Sequence, residues 1–534
     1  MDRKYQHILE AWPKDRTGLI PALLKVQEKE NCISAEAVRE IGLHVGVTDN
    51  EVFSLASFYP RFRLIPSSGP RMDPNLNGPP LFGQPGETTD LPPIDRQVRV
   101  ALRNCGSIDP EDINTYIARG GYGGLARALR MRPEDVEEEV RRSGLREENG
   151  SGLSLPAGWR VCREAPGKEK YVIGQGTVID PQALTEVTLL ESDPHAVLEG
   201  LLIAAYASGA SRGIMVVDSG LPSAGSRLEK AFRQIADSPY LGDRILGSDF
   251  SFQIQISPVP GPLSCGDPAQ VLPALEGRRP TACGRSNFST ASGFLGFPTV
   301  CQGVETLARL SGILERGADW YRGLGLNGCA GTKTCTLIGA IKRAGLIEVP
   351  WGTSLRTIIN DIGGGLPGEG KMKALQVGGP LGGWLPASEL DILVAPDTLI
   401  AAGITLGSGT LNVSDQTACA VDLARKALEF AREESCGQCL FCREGTRQME
   451  EILTDITEGR SRPEDLDLLL DLGEGLKLGS SCSLGRTAPD AFLTTFRHFP
   501  EEYETHIREK RCRAGVCRPL SGGTSERVGL VGKR

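Results

Sequence analysis

The run SCGQCLFCREG constrains this chain most, because it sets Cys436, Cys439 and Cys442 at three-residue intervals, with Cys482 following in SSCSLG. Three thiolates on one short turn can reach three corners of an iron–sulfur cubane, and a fourth from a separate segment closes it. Soft thiolates also suit zinc. Zinc sites, however, more often pair two C-x2-C arms than three successive cysteines with a distant fourth. The expectation is a [4Fe-4S] cluster on Cys436, Cys439, Cys442 and Cys482, with a structural zinc site or reduced core thiols as rivals.

A second group follows in THIREKRCRAGVC, which holds His506, Cys512 and Cys517. One imidazole and two thiolates are three-quarters of a tetrahedral zinc site, in a chain with only 5 histidines. Cys419 is the candidate fourth ligand, a choice that spacing alone does not support. The rival is a tail with two free thiols. Cys32, Cys105, Cys162, Cys265, Cys283, Cys301, Cys329 and Cys335 show no ligand spacing and read mostly as small core residues. No Ser/His/Asp or Cys/His hydrolase constellation presents itself.

The start, MDRKYQHILEAWPKDR, lacks the apolar h-region of a secretory signal, so 15 cysteines imply thiols and thiolate ligands rather than disulfides. At 534 residues several packed domains are expected. A net charge of −8 does not suggest nucleic acid or an anionic membrane as partner. The most apolar stretch, Val197 to Val217, is broken by Gly, Ser and Arg too early to span a bilayer. A cytoplasmic protein is expected, without direct membrane insertion and membrane-associated only through partner subunits.

Apolar residues recur at helical spacing through Leu19, Ile20, Leu23, Leu24 and Val26, then through Val38, Ile41 and Leu43. Ser34 and Thr48 are N-cap candidates, the latter with Glu51 as a capping box. From about Pro66 to Pro93 proline and glycine erase any periodicity, which reads as a linker. Pro133 opens a helix that Gly144 ends. Between about 168 and 330, KYVIG, GIMVVDSG and FQIQISPV alternate with HAVLEGLLIAAYASG and RLEKAFRQIA, the mark of a sheet covered by helices.

ESCGQCLFCREGTRQMEEIL and SSCSLGRTAP resemble the cluster domain of the NADH-binding (51 kDa, flavoprotein 1-type) subunit of respiratory complex I. The same subunit type occurs in NAD-linked and electron-bifurcating hydrogenases and formate dehydrogenases. NCGSIDPEDINTYIARGGYGGLARAL, DPHAVLEGLLIAAYASGA, GFPTVCQGVETL and GTSLRTIINDIGGGLPGEGKMKALQVGGPLGGWLP extend the likeness over most of the chain. The resemblance implies a multidomain α/β plus α fold. Residues 96–332 would be leading helices and a Rossmann-like, flavin-type α/β domain, 333–412 a ubiquitin-like SLBB (β-grasp) module, 413–505 a helical bundle with the cluster, and 506–534 a tail with zinc ligands. Residues 1–66 resemble the helical part of the 24 kDa thioredoxin-like subunit, and the linker at 67–95 stands where that subunit has its [2Fe-2S] domain. Implied partners are other iron–sulfur subunits: 24 kDa-like and 75 kDa-like ones, or their hydrogenase and formate dehydrogenase counterparts. The bifurcating relatives also carry zinc at a similar His and C-x4-C pair.

The family holds FMN on a loop of the form R-G-R-G-G-A-G-F-P-T-G. Here the sequence reads Arg146, Glu147, Glu148, Asn149, Gly150, Ser151, Gly152, Leu153, Ser154. At an effective dielectric near 20, a carboxylate about 4 Å from a phosphate charge costs roughly 4 kcal/mol, about a thousandfold in affinity. The family's N-A-D-E-S-E-P-G aligns with Gln175 to Gln182, retaining only Asp180 as an acidic group. G-E-E-T-A has become Gly266 to Gln270, and the paired asparagines before V-E-T-L are Gln302 and Gly303. Arg285 replaces a lysine near the nicotinamide nucleotide, and Phe288 is retained for stacking. These departures lead to the expectation that FMN and NAD chemistry is lost or remodelled while a one-electron relay remains. The rivals are an active NADH dehydrogenase subunit and a scaffold whose cluster only braces the bundle.

Overall fold

The structure, a computed structural model, describes residues 4–10, 13–14, 19–30, 33–47, 52, 97–146, 154–178, 180–259, 268–278, 289–326, 328–517 and 520. Thr48, Glu51, the linker at 67–95, Glu147 to Leu153 (with Gly150 and Gly152), Arg285 and Phe288 lie outside these residues. The chain divides into two compact units, one of residues 1–75 and 86–91, the other of the remainder.

In the first unit, α1 (Leu19–Glu30) and α2 (Ala35–Val45) pack through Leu23, Val26, Val38, Ile41 and Val45. Ser34 caps α2 by accepting from the Ala37 N–H at 3.1 Å. Leu43, expected on the apolar face, is 64% exposed. The buried stripe runs through 38, 41 and 45, and 43 falls outside it at 100° per residue.

The second unit contains two sheets and a helical region. Its leading helices include α3 (Pro133–Ser143), which has Pro133 in its first turn and Gly144 at φ +74 as C-cap. Then come α4 (Leu155–Glu164), β1 (Tyr171–Gly176), α5 (Thr185–Ser192), α6 (Pro194–Ser208), β2 (Arg212–Asp218), α7 (Pro222–Ala236), β3 (Gln253–Val259), β4 (Thr299–Gly303) and α8 (Val304–Arg316). The sheet is parallel throughout, in the order β3-β2-β1-β4. Both faces are covered, one by a large core holding Val172, Leu201, Met215 and Leu307, the other by Ile173, Val216, Val271 and Cys301. This is why β1 and β2 read as nearly continuous apolar runs. α6 lies so close to α8 that a Cβ at Gly200 would sit 2.0 Å from the Leu307 carbonyl oxygen; only glycine permits that crossing.

Next are β5 (Thr332–Gly339), β6 (Gly345–Pro350), β7 (Met372–Val377), β8 (Gly383–Pro386) and β9 (Thr410–Asp415). They form a mixed sheet in the order β8-β7-β9-β5-β6, with the last strand, β9, parallel to the first, β5, at the centre. Two hairpins flanking a central parallel pair give the β-grasp form. A helical region follows: α9 (Ala420–Glu433), α10 (Leu440–Thr457), α11 (Asp465–Gly479), α12 (Ser483–Thr487), α13 (Asp490–His498) and α14 (Pro500–Arg508). Its core joins Ala424, Leu428, Met449, Leu453, Leu476, Phe492 and Tyr503.

Candidate functional site

The four cysteines of the opening motif sit at two helix starts. Cys439 is the N-cap of α10 in extended conformation, and Cys442, in its first turn, is buried. Gly437 turns the preceding loop at φ +75, and its carbonyl accepts from Arg443 Nη1 at 2.8 Å. Cys482 is the N-cap of α12. Arg486 fixes the approach to it by donating to the Ser480 carbonyl at 2.9 Å and to that of Ser481 at 3.3 Å. The two segments touch: a Cβ on Gly485 would lie 2.5 Å from Ser480 Oγ and 3.1 Å from the Cys442 Cβ.

Burial pushes the Cys442 thiol up to about 12, and the nearby Cys439, Cys482 and Cys436 add to it, against a hydrogen bond from Ser435. Such a thiol becomes a thiolate when a metal takes the place of its proton. Neither α10 nor α12 has a side-chain cap. Their first-turn N–H groups are therefore available to sulfur, and hydrogen bonds of that kind tune cluster potential. The donor set and its partly exposed edge (Cys436, Cys439 and Cys482) fit a [4Fe-4S] group.

The second group converges from three elements. Cys419 is the N-cap of α9, His506 lies in the last turn of α14, and Cys512 and Cys517 follow on a tight turn. All four are buried, and their ligand atoms lie within 4.8 Å of one another. Cys419 Sγ is 3.5 Å from His506 Nε2 and 3.8 Å from Cys517 Sγ. His506 Nδ1 is 2.7 Å from the Glu502 carbonyl oxygen, a geometry that assigns the proton to Nδ1 and leaves Nε2 as a ligand. The hydrogen bond with Cys517, then that with His506, outweighs burial and lowers the Cys419 thiol to about 4. Three sulfurs and one imidazole nitrogen at these spacings fit a tetrahedral zinc ion.

The third locus is the end of the parallel sheet. The chain builds outward from β1 through β2 to β3, then returns to place β4 on the other side of β1. The crevice beyond β1 and β4 is thus the switch point at which such sheets bind ligands. Gln175 ends on β1, and Gln302 and Gly303 end β4. Gln302 is 1% exposed, and its Oε1 has no hydrogen-bond partner among the described residues. α8 starts at Gly303 and α4 at Ser154 without side-chain caps.

Asp180, the acidic group retained from the family pattern, is engaged elsewhere. Its Oδ2 accepts from Ser408 Oγ and Thr410 Oγ1 at 2.6 Å each, and its Oδ1 from the Gln182 N–H at 2.8 Å. The side chain clasps the β-grasp sheet, with both oxygens occupied. Arg146 is exposed and donates to the Gly328 carbonyl at 2.5 Å. Behind the crevice, Glu305 pairs with Lys333 at 2.8 Å and with Arg309, and accepts from the Thr334 N–H at 3.0 Å. Burial alone would raise the Glu305 carboxyl, but the two cations hold it at about 2. Burial raises neighbouring Glu186 to about 7, with Glu305 and Asp180 adding and Lys333 opposing.

Three family profiles match the chain: Thioredoxin-like [2Fe-2S] ferredoxin over residues 5–71, Nuo51 FMN-binding domain over 140–311, and NADH-ubiquinone oxidoreductase-F iron-sulfur binding region over 422–506. The NADP-reducing hydrogenase subunit HndC of Solidesulfovibrio fructosivorans is 40% identical over 80% of this chain and 86% of its own. The F 2 subunit of NADH-quinone oxidoreductase of Rhizobium meliloti (strain 1021) is 36% identical over 77% of this chain and 98% of its own. The chain belongs to the family of NADH-quinone oxidoreductase F subunits. A solved chain of NAD+-reducing [NiFe]-hydrogenase in the H2-reduced state superposes at TM-score 0.63 with 27% identity, over 71% of this chain and 63% of that one.

Membership of this family makes the protein an NADH-dehydrogenase-module subunit with an FMN-binding domain and a 4Fe-4S region. The FMN-binding match over 140–311 lends no support to the expectation that flavin is gone. Among the described residues, no helix is long and apolar enough to cross a membrane. Sequence reading missed Ser435, Gly485, Glu502 and Glu186. Glu502 had a signal, four residues before His506 on one helix; the others mark contacts that only the fold creates.

Proposed function

We propose that this chain is an electron-transfer subunit of a multi-subunit NADH dehydrogenase- or hydrogenase-like complex, holding one [4Fe-4S] cluster on Cys436, Cys439, Cys442 and Cys482. The observation that carries the reading is the approach of the Cys482 segment to Cys442 through Gly485. When bound, the cluster supplies one-electron chemistry. The chain supplies four thiolates, two uncapped helix starts facing them, and Arg486 and Arg443 to hold both loops. Cys419, His506, Cys512 and Cys517 would hold a structural zinc ion bracing the end of the bundle. The relatives, HndC and the F subunits of NADH-quinone oxidoreductase, support other iron–sulfur subunits as partners.

We read the nucleotide crevice as remodelled. Glu147 and Glu148 replace an arginine and a glycine, and Asp180 serves the β-grasp sheet. The second reading, an active subunit with FMN and NADH, is favoured by the FMN-binding match and by the uncapped start of α8 at the switch point.

One preparation tests both readings. Iron, zinc and flavin are measured on the anaerobically purified complex, with Cys439→Ser beside it. We expect about four irons per chain, lost in Cys439→Ser, and no flavin in an acid supernatant. Unchanged iron in the variant would defeat the cluster assignment, and stoichiometric yellow flavin the remodelled crevice. A cluster that dithionite reduces but no partner subunit reduces would leave only a bracing role.

A further inference from the structure

On the buried side of the cysteine motif, one hydroxyl stands without an acceptor. Ser480 is the C-cap of α11 in extended conformation, two residues before Cys482, and is 2% exposed. Its Oγ is buried and has no hydrogen-bond partner among the described residues. Other buried hydroxyls of this chain find one close by. Those of Ser208, Thr446, Thr494 and Thr495 each donate to the carbonyl four residues back, at 2.7, 2.7, 2.6 and 2.7 Å. Burying a hydroxyl without a partner is costly, so Ser480 Oγ calls for an acceptor that the chain itself does not supply.

The hydroxyl is also held where it is. The Ser480 N–H donates to the Leu476 carbonyl at 3.1 Å, and the Ser480 carbonyl accepts from Arg486 Nε at 2.9 Å, which fixes the backbone on both sides. Gly485 lies against it: a Cβ there would be 2.5 Å from Ser480 Oγ and 3.1 Å from the Cys442 Cβ. Ser480 Oγ and the Cys442 corner therefore share the space that this glycine leaves open. Cys442 is the buried member of the four cysteines. It already has one hydroxyl beside it. Ser435 Oγ is 3.3 Å from the Cys442 sulfur, and because it accepts from the Gly437 N–H at 3.3 Å, its own hydrogen is free for that sulfur.

We propose that Ser480 donates its hydroxyl hydrogen to a sulfide of the [4Fe-4S] cluster at the Cys442 corner and so raises the potential of that cluster. The inference rests on the cluster assignment above. A sulfide has no hydrogen to give, so the serine can only be the donor. Reduction brings one electron to the cluster, and the proton stays on Oγ. The added negative charge strengthens the bond, more so in a buried site where the local dielectric is low. The donor thus stabilises the reduced form over the oxidised one, and hydrogen bonds to sulfur are among the levers that set cluster potential. The first-turn N–H groups of α10 and α12 act in the same sense from the backbone. Ser480 is a side-chain donor, which one substitution removes.

The test is a dye-mediated redox titration of the full chain, purified anaerobically and followed by the EPR signal of the reduced cluster, with iron content as control. Ser480→Ala should keep about four irons per chain and the wild-type spin count. It should be harder to reduce by about tenfold in the equilibrium constant, which for one electron is about 59 mV. Ser480→Thr, which keeps the hydroxyl, should recover most of that difference. Deuterium ENDOR after cluster reconstitution in D2O reads the bond directly. A coupled exchangeable deuteron should be present in wild type and in Ser480→Thr, and missing in Ser480→Ala.

A wild-type potential in Ser480→Ala, with iron and spin count retained, would overturn the donor role. So would a deuteron pattern that is the same in wild type and the alanine variant. Loss of iron in Ser480→Ala would make the serine a prop for the Cys482 loop and overturn its part in setting the potential. Wild-type protein without iron or EPR signal would instead defeat the cluster assignment on which the hydrogen bond depends.

Discussion

Glu186 shows how far one side chain can depart from what its letter suggests. It sits in the first turn of α5, near Glu305, Asp180 and Lys333, and no ion pair reaches it among the described residues. Burial raises its carboxyl from the usual range to about 7. A raised acid favours the protonated form in the folded state, so its stabilising contribution is complete below the unfolded value near 4.5. That contribution is lost as pH rises through about 7. The difference corresponds to at most about 3 kcal/mol, less where water reaches the group. Glu186→Gln should therefore gain about 1–3 kcal/mol over wild type at pH 8 and nothing at pH 4. Urea melts at the two pH values check this; an equal gain at both would assign the effect to packing. Nothing in the run TEVTLLES marks Glu186 as special. Its shift comes first from burial in the fold, with Glu305 adding to it and Lys333 opposing it, both more than a hundred positions away, whereas the cysteines announced themselves because ligand geometry demands close spacing on one turn.

At the level of elements, local rules were legible where the chain closes its own hydrogen bonds. Ser34 caps α2, Pro133 and Gly144 bound α3, and three β-runs became β1, β2 and β3. Meetings between elements were not legible. Cys419 lies 87 positions from His506, yet the two stand 3.5 Å apart. Their meeting depends on how α9 packs against α14, with the Ala420 N–H donating to Glu502 at 2.9 Å. A metal there would tie the start of one helix to the end of another and to the turn at Cys512–Cys517. Its removal should therefore loosen α14 and the tail before the sheets. With a zinc chelator, or in Cys512→Ser, we expect one zinc lost per chain and amide exchange in residues 500–517 faster by about tenfold or more. Iron should stay constant. Zinc release without change in exchange would mean that the ion contributes nothing to the packing of α14.

Across the whole molecule, buried carboxylates join segments that the sequence keeps far apart. Glu348, on β6 of the β-grasp sheet, is fully buried and accepts from the N–H groups of Val100, Ala101 and Leu102 at 2.8, 3.1 and 3.0 Å. Thr332 Oγ1 adds a fourth bond at 2.5 Å. Asp180 makes the reciprocal tie from the parallel sheet to Ser408 and Thr410. Each removes unsatisfied polar groups from both sides of a junction, so the junction is stable only when both sides are folded. Glu348→Ala would leave three backbone donors and a hydroxyl without partners, each worth about 1–3 kcal/mol. Even with water entering, a loss of roughly 3 kcal/mol is expected, about two decades in local opening. Amide exchange at residues 100–102 should accelerate by about a hundredfold, and Glu348→Gln, which keeps one acceptor, should fall between. The cluster cysteines lie on the far helical region, so iron content and the EPR signal should not change. Acceleration spread evenly over the whole chain would show that Glu348 supports global stability instead of this one junction.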